Sequence, residues 1–152
     1  MVKVHQIVAS TFGIGYVGKG GGTLAAIFAA VCWYYAHLFF NISAVTDVII
    51  TIFIILIGVW SSFIVEPLWG KDDKKVVIDE VAGMCVSLLF IPPTFSCILI
   101  ALILFRFFDI IKPFFIKKSE SLNGGWGVMA DDVLSGIYAN VLMQLIILGN
   151  FF

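Results

Sequence analysis

The sequence contains few charged residues: Lys, Arg, Asp and Glu make up 12% of its 152 residues, whereas 61% are hydrophobic. A soluble domain typically has about 25% charged residues. Nine basic and ten acidic residues are too few to cover the surface of a soluble domain of this length, and the mean hydropathy is +1.10. The composition therefore excludes an ordinary soluble domain and a disordered chain, and it indicates an integral membrane protein.

Excess positive charge, paired cysteines and clustered histidines are also lacking. The formal net charge of −1 argues against a nucleic-acid partner, because phosphate backbones select strongly basic surfaces. The three cysteines are odd in number and form no Cys-x-x-Cys pair, which argues against a disulfide framework. His5 and His37 stand apart from any candidate nucleophile or metal ligand in the sequence, so both are predicted to be structural.

Long apolar segments are present instead. Crossing a bilayer core takes about 20 helical residues, and four segments are apolar enough to enter one: 22–40, 44–65, 78–111 and 133–152. The third is too long for a single crossing and contains Pro92 and Pro93, which favour a turn. It is therefore predicted to form a helical hairpin with arms at 78–91 and 94–111, and the short first arm is predicted to lie inside the bundle.

These segments together predict the fold class. The chain is expected to be all-α, a small multi-pass membrane helical bundle that forms a single domain over residues 1–152. We expect about five membrane-entering helices, including the hairpin, with four as the alternative. The oligomeric state is left open by the sequence.

The distribution of charge predicts the orientation of the bundle. With five crossings, all nine basic residues fall on one side of the membrane: Lys3, Lys19, Lys71, Lys74, Lys75, Arg106, Lys112, Lys117 and Lys118. The positive-inside rule makes that side cytoplasmic. Every acidic residue except Asp47, which is predicted to cap a helix on the opposite face, lies on the same side. A membrane anchor does not need so many acids, so a functional site is predicted there.

Two pairs of adjacent acids begin apolar helical segments. Asp79 and Glu80 are followed by a glycine at the i+4 position of the aspartate, and a glycine-rich turn leads to Asp131 and Asp132, which are placed at the mouth of the last span with another glycine at i+4. Helix capping explains one acid of each pair better than two. If the pairs face one another, they repel unless a cation lies between them, and carboxylates without a nearby His or Cys suit Mg²⁺.

Basic residues accompany the acid pairs. Arg106, Asp109 and Lys112 are spaced at i, i+3 and i+6 among aromatic and aliphatic residues, where ionisable groups are expensive and usually functional. Lys19 and Thr23 belong to a glycine-rich stretch before the first span, whose exposed N–H groups suit an anion, although a flexible entry loop is an equally good interpretation. Acids that bind Mg²⁺ beside cations that bind an anion favour a phosphate ester substrate, and the lipid-embedded helices favour a phospholipid.

The sequence resembles the phosphatidylglycerophosphatase A family of membrane lipid phosphatases in three segments, namely I-D-E-V-A-G from Ile78, F-R-F-F-D-I-I-K-P from Phe105, and G-W-G-V-M from Gly125 with the following acid pair. The resemblance implies Mg²⁺-dependent removal of the terminal phosphate from phosphatidylglycerophosphate, giving phosphatidylglycerol, at the cytoplasmic face of the bacterial inner membrane. One departure concerns the N-terminal loop, where Gly20 to Thr23 lacks the proline and the earlier threonine of the family's P-G-T-x-G-T-like run.

The resemblance also suggests roles for the candidate residues. Metal ligands are expected to be Asp79, Glu80, Asp131 and Asp132, one of which can act as the base for an attacking water. Asp109 is expected to be a further ligand or to orient Arg106, which completes the predicted catalytic set. Arg106 and Lys112 are expected to bind the substrate phosphate with help from Lys19 and Thr23. A carboxylate nucleophile remains an alternative to water.

Two other classes of function are alternatives to a phosphatidylglycerophosphatase. A small cation transporter would place its acids at mid-depth and on both sides of the membrane, whereas these acids cluster on one side. Another phospholipid phosphatase or a phosphotransferase would also use Mg²⁺, but the D-G-x-x-A-R…G-x-x-x-D-x-x-x-D run typical of alcohol phosphatidyltransferases is absent.

Overall fold

The computed structural model describes residues 2–71, 73–113, 116, 122 and 124–150. These residues form six α-helices and one 3₁₀ helix, Ile14–Val17, and contain no strand. The α-helices are α1 Val2–Ala9, α2 Gly21–Phe39, α3 Ala44–Trp69, α4 Ile78–Leu88, α5 Phe95–Ile111 and α6 Gly125–Leu148. The predicted all-α class is confirmed. Lys117 and Lys118, which belong to the predicted basic side, lie outside the described residues.

Three of these helices are long and apolar enough to cross a membrane. They are α2, α3 and α6, with 19, 26 and 24 residues. Large apolar side chains on their outer surfaces, such as Leu38, Phe53 and Leu145, are exposed, as expected for surfaces in contact with lipid. At 1.5 Å per residue, α5 is roughly 26 Å long and α4 roughly 17 Å, both short of a bilayer core of about 30 Å. The protein is therefore a membrane protein, and the count of five crossings stays a prediction.

The predicted hairpin is formed by α4 and α5. The turn between them contains Pro92 and Pro93, and α5 begins after Thr94, whose side chain accepts a hydrogen bond of 3.3 Å from the Cys97 N–H. Every residue of α4 except Glu80 is buried, because α4 packs against α2, α3, α5 and α6. This confirms that the short arm lies inside the bundle.

Two glycines bring α4 and α6 into close contact. A Cβ atom added to Gly83 would lie 2.6 Å from the carbonyl oxygen of Asp132 and 2.5 Å from the Phe105 ring, and one added to Gly136 would overlap the carbonyl oxygen of Gly83. Only glycine allows the two backbones to approach so closely. Asp79 precedes Gly83, and Asp132 precedes Gly136, by one helical turn, so this crossing places the two aspartates side by side.

The last helix begins earlier than predicted, at Gly125 rather than at residue 133. The glycine-rich stretch is helical because Gly125 packs directly on α3, where a Cβ atom would lie 3.1 Å from the Phe63 nitrogen. Asp131 and Asp132 are therefore the seventh and eighth residues of α6 and do not precede the helix. Since no acid lies in the first turn, helix capping does not explain this pair.

The histidines occupy structural positions at two helix contacts. The Nδ1 atom of His5 in α1 lies 3.1 Å from the Ser61 Oγ of α3, whereas the Nε2 atom of His37 lies 3.1 Å from the Asp47 Oδ2 and joins α2 to α3. The predicted capping role of Asp47 is wrong, because the Ser43 Oγ accepts the Thr46 N–H and caps α3.

Candidate active site

A cavity of about 450 Å³ lies where α2, α4 and α6 begin and α5 ends. Most of the predicted site residues line it, together with a glycine stretch and part of the segment between α3 and α4. The lining residues are Gly18, Lys19, Gly20, Gly21, Gly22, Asp73, Lys74, Val76, Asp79, Glu80, Arg106, Asp109, Lys112, Asp131 and Asp132. The fold thus brings together residues from four separate parts of the sequence.

Three carboxylates in this cavity form a compact cluster. Asp79, Glu80 and Asp132 each offer one oxygen atom, and these three atoms lie within 4.8 Å of one another. Asp79 and Asp132 are buried and Glu80 is partly buried. Within the described part of the chain, the Asp79 Oδ1 and the Glu80 Oε2 have no hydrogen-bond partner. Buried carboxylate oxygens without donors are costly unless a cation neutralises them.

The position of Glu80 depends on Gly22 in the first turn of α2. A Cβ atom added to Gly22 would overlap the Glu80 carboxylate. The glycine stretch therefore gives the Glu80 side chain the space to reach the cluster. This contact assigns a packing role to part of the loop that the sequence left uncertain.

The electrostatics of the cluster oppose ionisation of its acids. Burial, followed by the charge of the adjacent Glu80, raises the pKa of Asp79 well above its ordinary value. Burial also raises the pKa of Glu80. Both residues lie in α4, which is too short to span the membrane. A divalent cation at this point would favour the ionised form of both carboxyl groups, since it supplies the opposite charge that the cluster lacks.

Asp131 lies in the same cavity but is held differently from the other three acids. Its Oδ2 atom accepts a bond of 2.6 Å from the Lys112 Nζ, and its Oδ1 atom has no partner among the described residues. Neighbouring side chains on a helix point about 100° apart, so only Asp132 of this pair reaches the acids of α4. The structure therefore groups three of the four predicted metal ligands and pairs the fourth with a lysine.

The basic residues of α5 form a second layer beside the acids. Arg106 donates a hydrogen bond from Nη1 to the Asp109 Oδ2 one turn along the helix. The Arg106 Nε has no partner among the described residues, although it is buried. Lys112 ends α5 in a left-handed conformation with φ 47°, which is uncommon for a residue other than glycine. Of the two roles predicted for Asp109, this geometry favours the orientation of Arg106.

Of the two remaining predicted residues, Lys19 and Thr23, only one lines the cavity. Lys19 lines the cavity and is exposed, whereas Thr23 is not among the lining residues. Thr23 follows Gly22 in α2, and the same rotation of about 100° per residue turns it away from Glu80. The structure therefore does not place Thr23 with the other predicted phosphate-binding residues, which line the cavity. Lys74 also lines the cavity and was missed, because it belongs to a short irregular segment without a motif.

Residues 7–147 match the family model described as phosphatidylglycerophosphatase A, which covers most of the chain. The chain belongs to the phosphatidylglycerophosphatase A family. This confirms the resemblance seen in its three motifs, all of which contribute to the cavity. As a member of this family, the protein is a lipid phosphatase of phospholipid metabolism.

Two curated relatives agree with the family assignment. A Bacteroides thetaiotaomicron protein with the provisional name phosphatidylinositol-3-phosphatase is 33% identical over 144 residues, which cover 91% of both chains. The phosphatidylglycerophosphatase A of Haemophilus influenzae is 46% identical over 74 residues, 47% of this chain and 45% of that protein. No solved structure shows a significant match to this chain.

Proposed function

We propose that the protein is a Mg²⁺-dependent phosphatase that converts phosphatidylglycerophosphate to phosphatidylglycerol and inorganic phosphate. The observation that carries this proposal is a carboxylate cluster beside basic side chains in one cavity. The cluster consists of Asp79, Glu80 and Asp132, and the basic residues next to it are Arg106 and Lys112. We further propose that the protein lies in the bacterial inner membrane, with this cavity on the cytoplasmic face. The predicted positive-inside orientation supports this location.

The chemistry of the cluster supports Mg²⁺ as the cofactor. Its donors are carboxylate oxygens, which Mg²⁺ prefers, and neither His nor Cys is among the lining residues that the structure describes. Two oxygens of the cluster lack a hydrogen-bond donor and are open to a cation. Asp79, Glu80 and Asp132 would hold the ion. When bound, Mg²⁺ supplies positive charge beside the phosphoryl group and makes an attacking water more acidic.

The remaining polar residues of the cavity have separate tasks in this proposal. Arg106, oriented by Asp109, and Lys112 bind the oxygens of the terminal phosphate and stabilise the charge that develops on them. The Asp131 Oδ1 accepts the proton of the attacking water, because this atom is buried and has no donor in the described structure. A bond forms between the water oxygen and phosphorus as the bond from phosphorus to the glycerol oxygen breaks. The glycerol oxygen then takes up the proton that Asp131 accepted from the water and becomes the alcohol.

A second substrate is suggested by the relative from Bacteroides thetaiotaomicron. Its name refers to phosphatidylinositol 3-phosphate, and its match covers 91% of both chains, more than the match to the Haemophilus influenzae phosphatase. Both lipids carry a phosphomonoester that can be removed and a phosphodiester that remains. The same residues can therefore perform either reaction.

A comparison of lipid substrates tests the proposed function. The purified protein in detergent micelles with Mg²⁺ is supplied in turn with phosphatidylglycerophosphate, phosphatidylinositol 3-phosphate and phosphatidic acid, and released phosphate is measured. We expect the highest kcat/KM for phosphatidylglycerophosphate, with phosphatidylglycerol as the lipid product. Preference for another of these lipids would keep the phosphatase and replace the substrate, whereas absence of release from all three would contradict the proposal.

A further inference from the structure

Two lysines at the cavity differ from the other basic residues that line it or lie near it. Lys19 and Lys74 both line the cavity and are exposed, and neither forms an ion pair with any residue that the structure describes. By contrast, the Lys75 Nζ lies 3.3 Å from the Asp73 Oδ1. The basic side chains deeper in the site are also paired, Arg106 with Asp109 and Lys112 with Asp131. The two exposed lysines therefore have no described acid as a partner and are accessible to an anionic ligand.

Their position along the chain places both lysines at the level of the lipid headgroups. Lys19 lies two residues before the start of α2, and Lys74 lies between the end of α3 and the start of α4. Since α2 and α3 are long and apolar enough to span the membrane, their ends near the cavity mark the boundary between the hydrocarbon core and the headgroup region. Basic residues at that boundary attract the phosphates of anionic lipids.

A lipid with two phosphates would present one phosphate to the basic residues inside the cavity and the other to the two lysines at its mouth. When its terminal phosphate enters the cavity, the phosphodiester stays near the cavity mouth, because that group is attached to the acyl chains, which remain in the bilayer. The cavity of about 450 Å³ is lined by charged residues and glycines with Val76 as the one other residue, and this polar lining disfavours acyl chains. In both phosphatidylglycerophosphate and phosphatidylinositol 3-phosphate, a chain of three carbon atoms separates the oxygens that carry the two phosphates.

We propose that Lys19 and Lys74 bind the phosphodiester of the substrate and thereby select lipids that keep a phosphate after the reaction. The inference rests on the proposed function and deepens it, because it assigns one set of cations to each phosphate. Arg106 and Lys112 bind the phosphate that leaves, and the two exposed lysines bind the phosphate that stays. The same assignment holds for either of the two lipids named above.

Inhibition by the two reaction products separates these subsites. Phosphatidylglycerol carries only the phosphodiester, whereas inorganic phosphate resembles only the group that is removed. Inhibition constants for both products are measured in mixed micelles for the wild-type protein and for Lys19→Ala and Lys74→Ala. We expect each substitution to raise the inhibition constant of phosphatidylglycerol about tenfold, since a charge-assisted contact is lost. The inhibition constant of inorganic phosphate should change less than twofold.

Two variants control for general effects of charge. Lys71→Ala removes the same charge from the same segment, but Lys71 does not line the cavity, so it should leave both constants unchanged. Lys74→Arg should restore most of the affinity for phosphatidylglycerol. If the Lys71 and Lys74 alanine variants behave alike, or if both inhibitors weaken equally, the assignment of the phosphodiester is wrong.

The wild-type protein distinguishes failure of this inference from failure of the proposed function. If it hydrolyses phosphatidylinositol 3-phosphate instead, phosphatidylinositol replaces phosphatidylglycerol as the inhibitor and the same changes are expected. If it hydrolyses neither lipid with two phosphates, the proposed function fails and this inference fails with it. If it hydrolyses one of them and the lysine variants bind its lipid product normally, only this inference is overturned.

Discussion

Single glycines decide where the acids of the site can lie. Gly22 has no side chain at the point where the Glu80 carboxylate packs against α2, and the neighbouring Thr23 does not line the cavity. Of these two adjacent residues, only Gly22 lines the cavity. The sequence alone does not show which of Gly22 and Thr23 belongs to the site, because that depends on the contact between α2 and Glu80 of α4.

The substitution Gly22→Ala tests this contact. The added methyl group would displace the Glu80 carboxylate from the cluster, so phosphate release should fall roughly tenfold to a hundredfold, as expected when a metal ligand is misplaced. The fold should persist, because alanine favours a helix more than glycine does. Thermal unfolding and phosphate release are measured together. Thr23→Ala is the matched control and should retain activity within twofold; equal activity of both variants would contradict the assigned contact.

At the scale of helices, the crossing of α4 and α6 builds the carboxylate cluster. Gly83 and Gly136 allow the contact, and the aspartates one turn before them face each other as a result. The approach of Asp79 to Asp132 is therefore a consequence of how α4 and α6 pack. Damage to the crossing should affect stability and catalysis together.

Substitution of Gly136 by alanine probes the crossing directly. Its Cβ atom would overlap the carbonyl oxygen of Gly83, so the helices must separate, which should cost about 1–3 kcal/mol of unfolding free energy. The same separation moves Asp132 from Asp79, and phosphate release should fall at least tenfold. The lipid-exposed neighbour Ile137 provides the control, since Ile137→Ala should leave activity unchanged. A stable and active Gly136→Ala protein would show that the two helices do not need this close approach.

The sequence predicts the helices better than it predicts their ends. Apolar length and Pro92–Pro93 are local features, so five helices and the hairpin follow from them. The start of α6 depends on the packing of Gly125 against α3, and glycine in a sequence is typical of a loop. For this reason the predicted last segment begins at residue 133, eight residues after the actual start of α6. The sequence also did not predict α1, which contacts α3.

For the site, the sequence likewise predicts which residues take part better than it predicts how they are grouped. The residue types and spacing predict the acids and bases of the cavity because ionisable groups beside apolar segments are unusual. Which acid of each pair joins the cluster depends on helix rotation, so the separate position of Asp131 was not predicted. Lys74 was missed because its position beside the cavity depends on the path of the segment between α3 and α4.

For the whole molecule, the charged cavity and the apolar helices imply one orientation in the membrane. Lys19 comes from the segment before α2, and Arg106 and Lys112 come from the end of α5. All three line the same cavity, as the asymmetric charge distribution predicts. The connection between α2 and α3 lies at the opposite ends of these helices and contains no basic residue. The cavity is therefore expected on the cytoplasmic side and this connection on the other.

Labelling of single cysteines tests the orientation. In a protein whose native Cys32, Cys85 and Cys97 have been replaced, Asn41→Cys or Lys71→Cys is introduced, and both positions are exposed. A membrane-impermeant maleimide added to spheroplasts should label only the cysteine at position 41. In inverted vesicles the labelling should reverse, which controls for reactivity. Labelling of position 71 in intact spheroplasts would place the cavity on the opposite face.

The proposed metal-dependent hydrolysis is tested by the release of inorganic phosphate from phosphatidylglycerophosphate. Release is measured with Mg²⁺ or with EDTA for the wild-type protein and for Asp132→Asn. Asp132 is the residue of α6 in the carboxylate cluster, so its replacement by Asn would remove one of the three proposed metal ligands. We expect rapid release by the wild-type protein with Mg²⁺, none with EDTA, and a loss of roughly a thousandfold in the variant. Release that persists in EDTA, or a variant as active as the wild-type protein, would contradict the proposed metal-dependent hydrolysis.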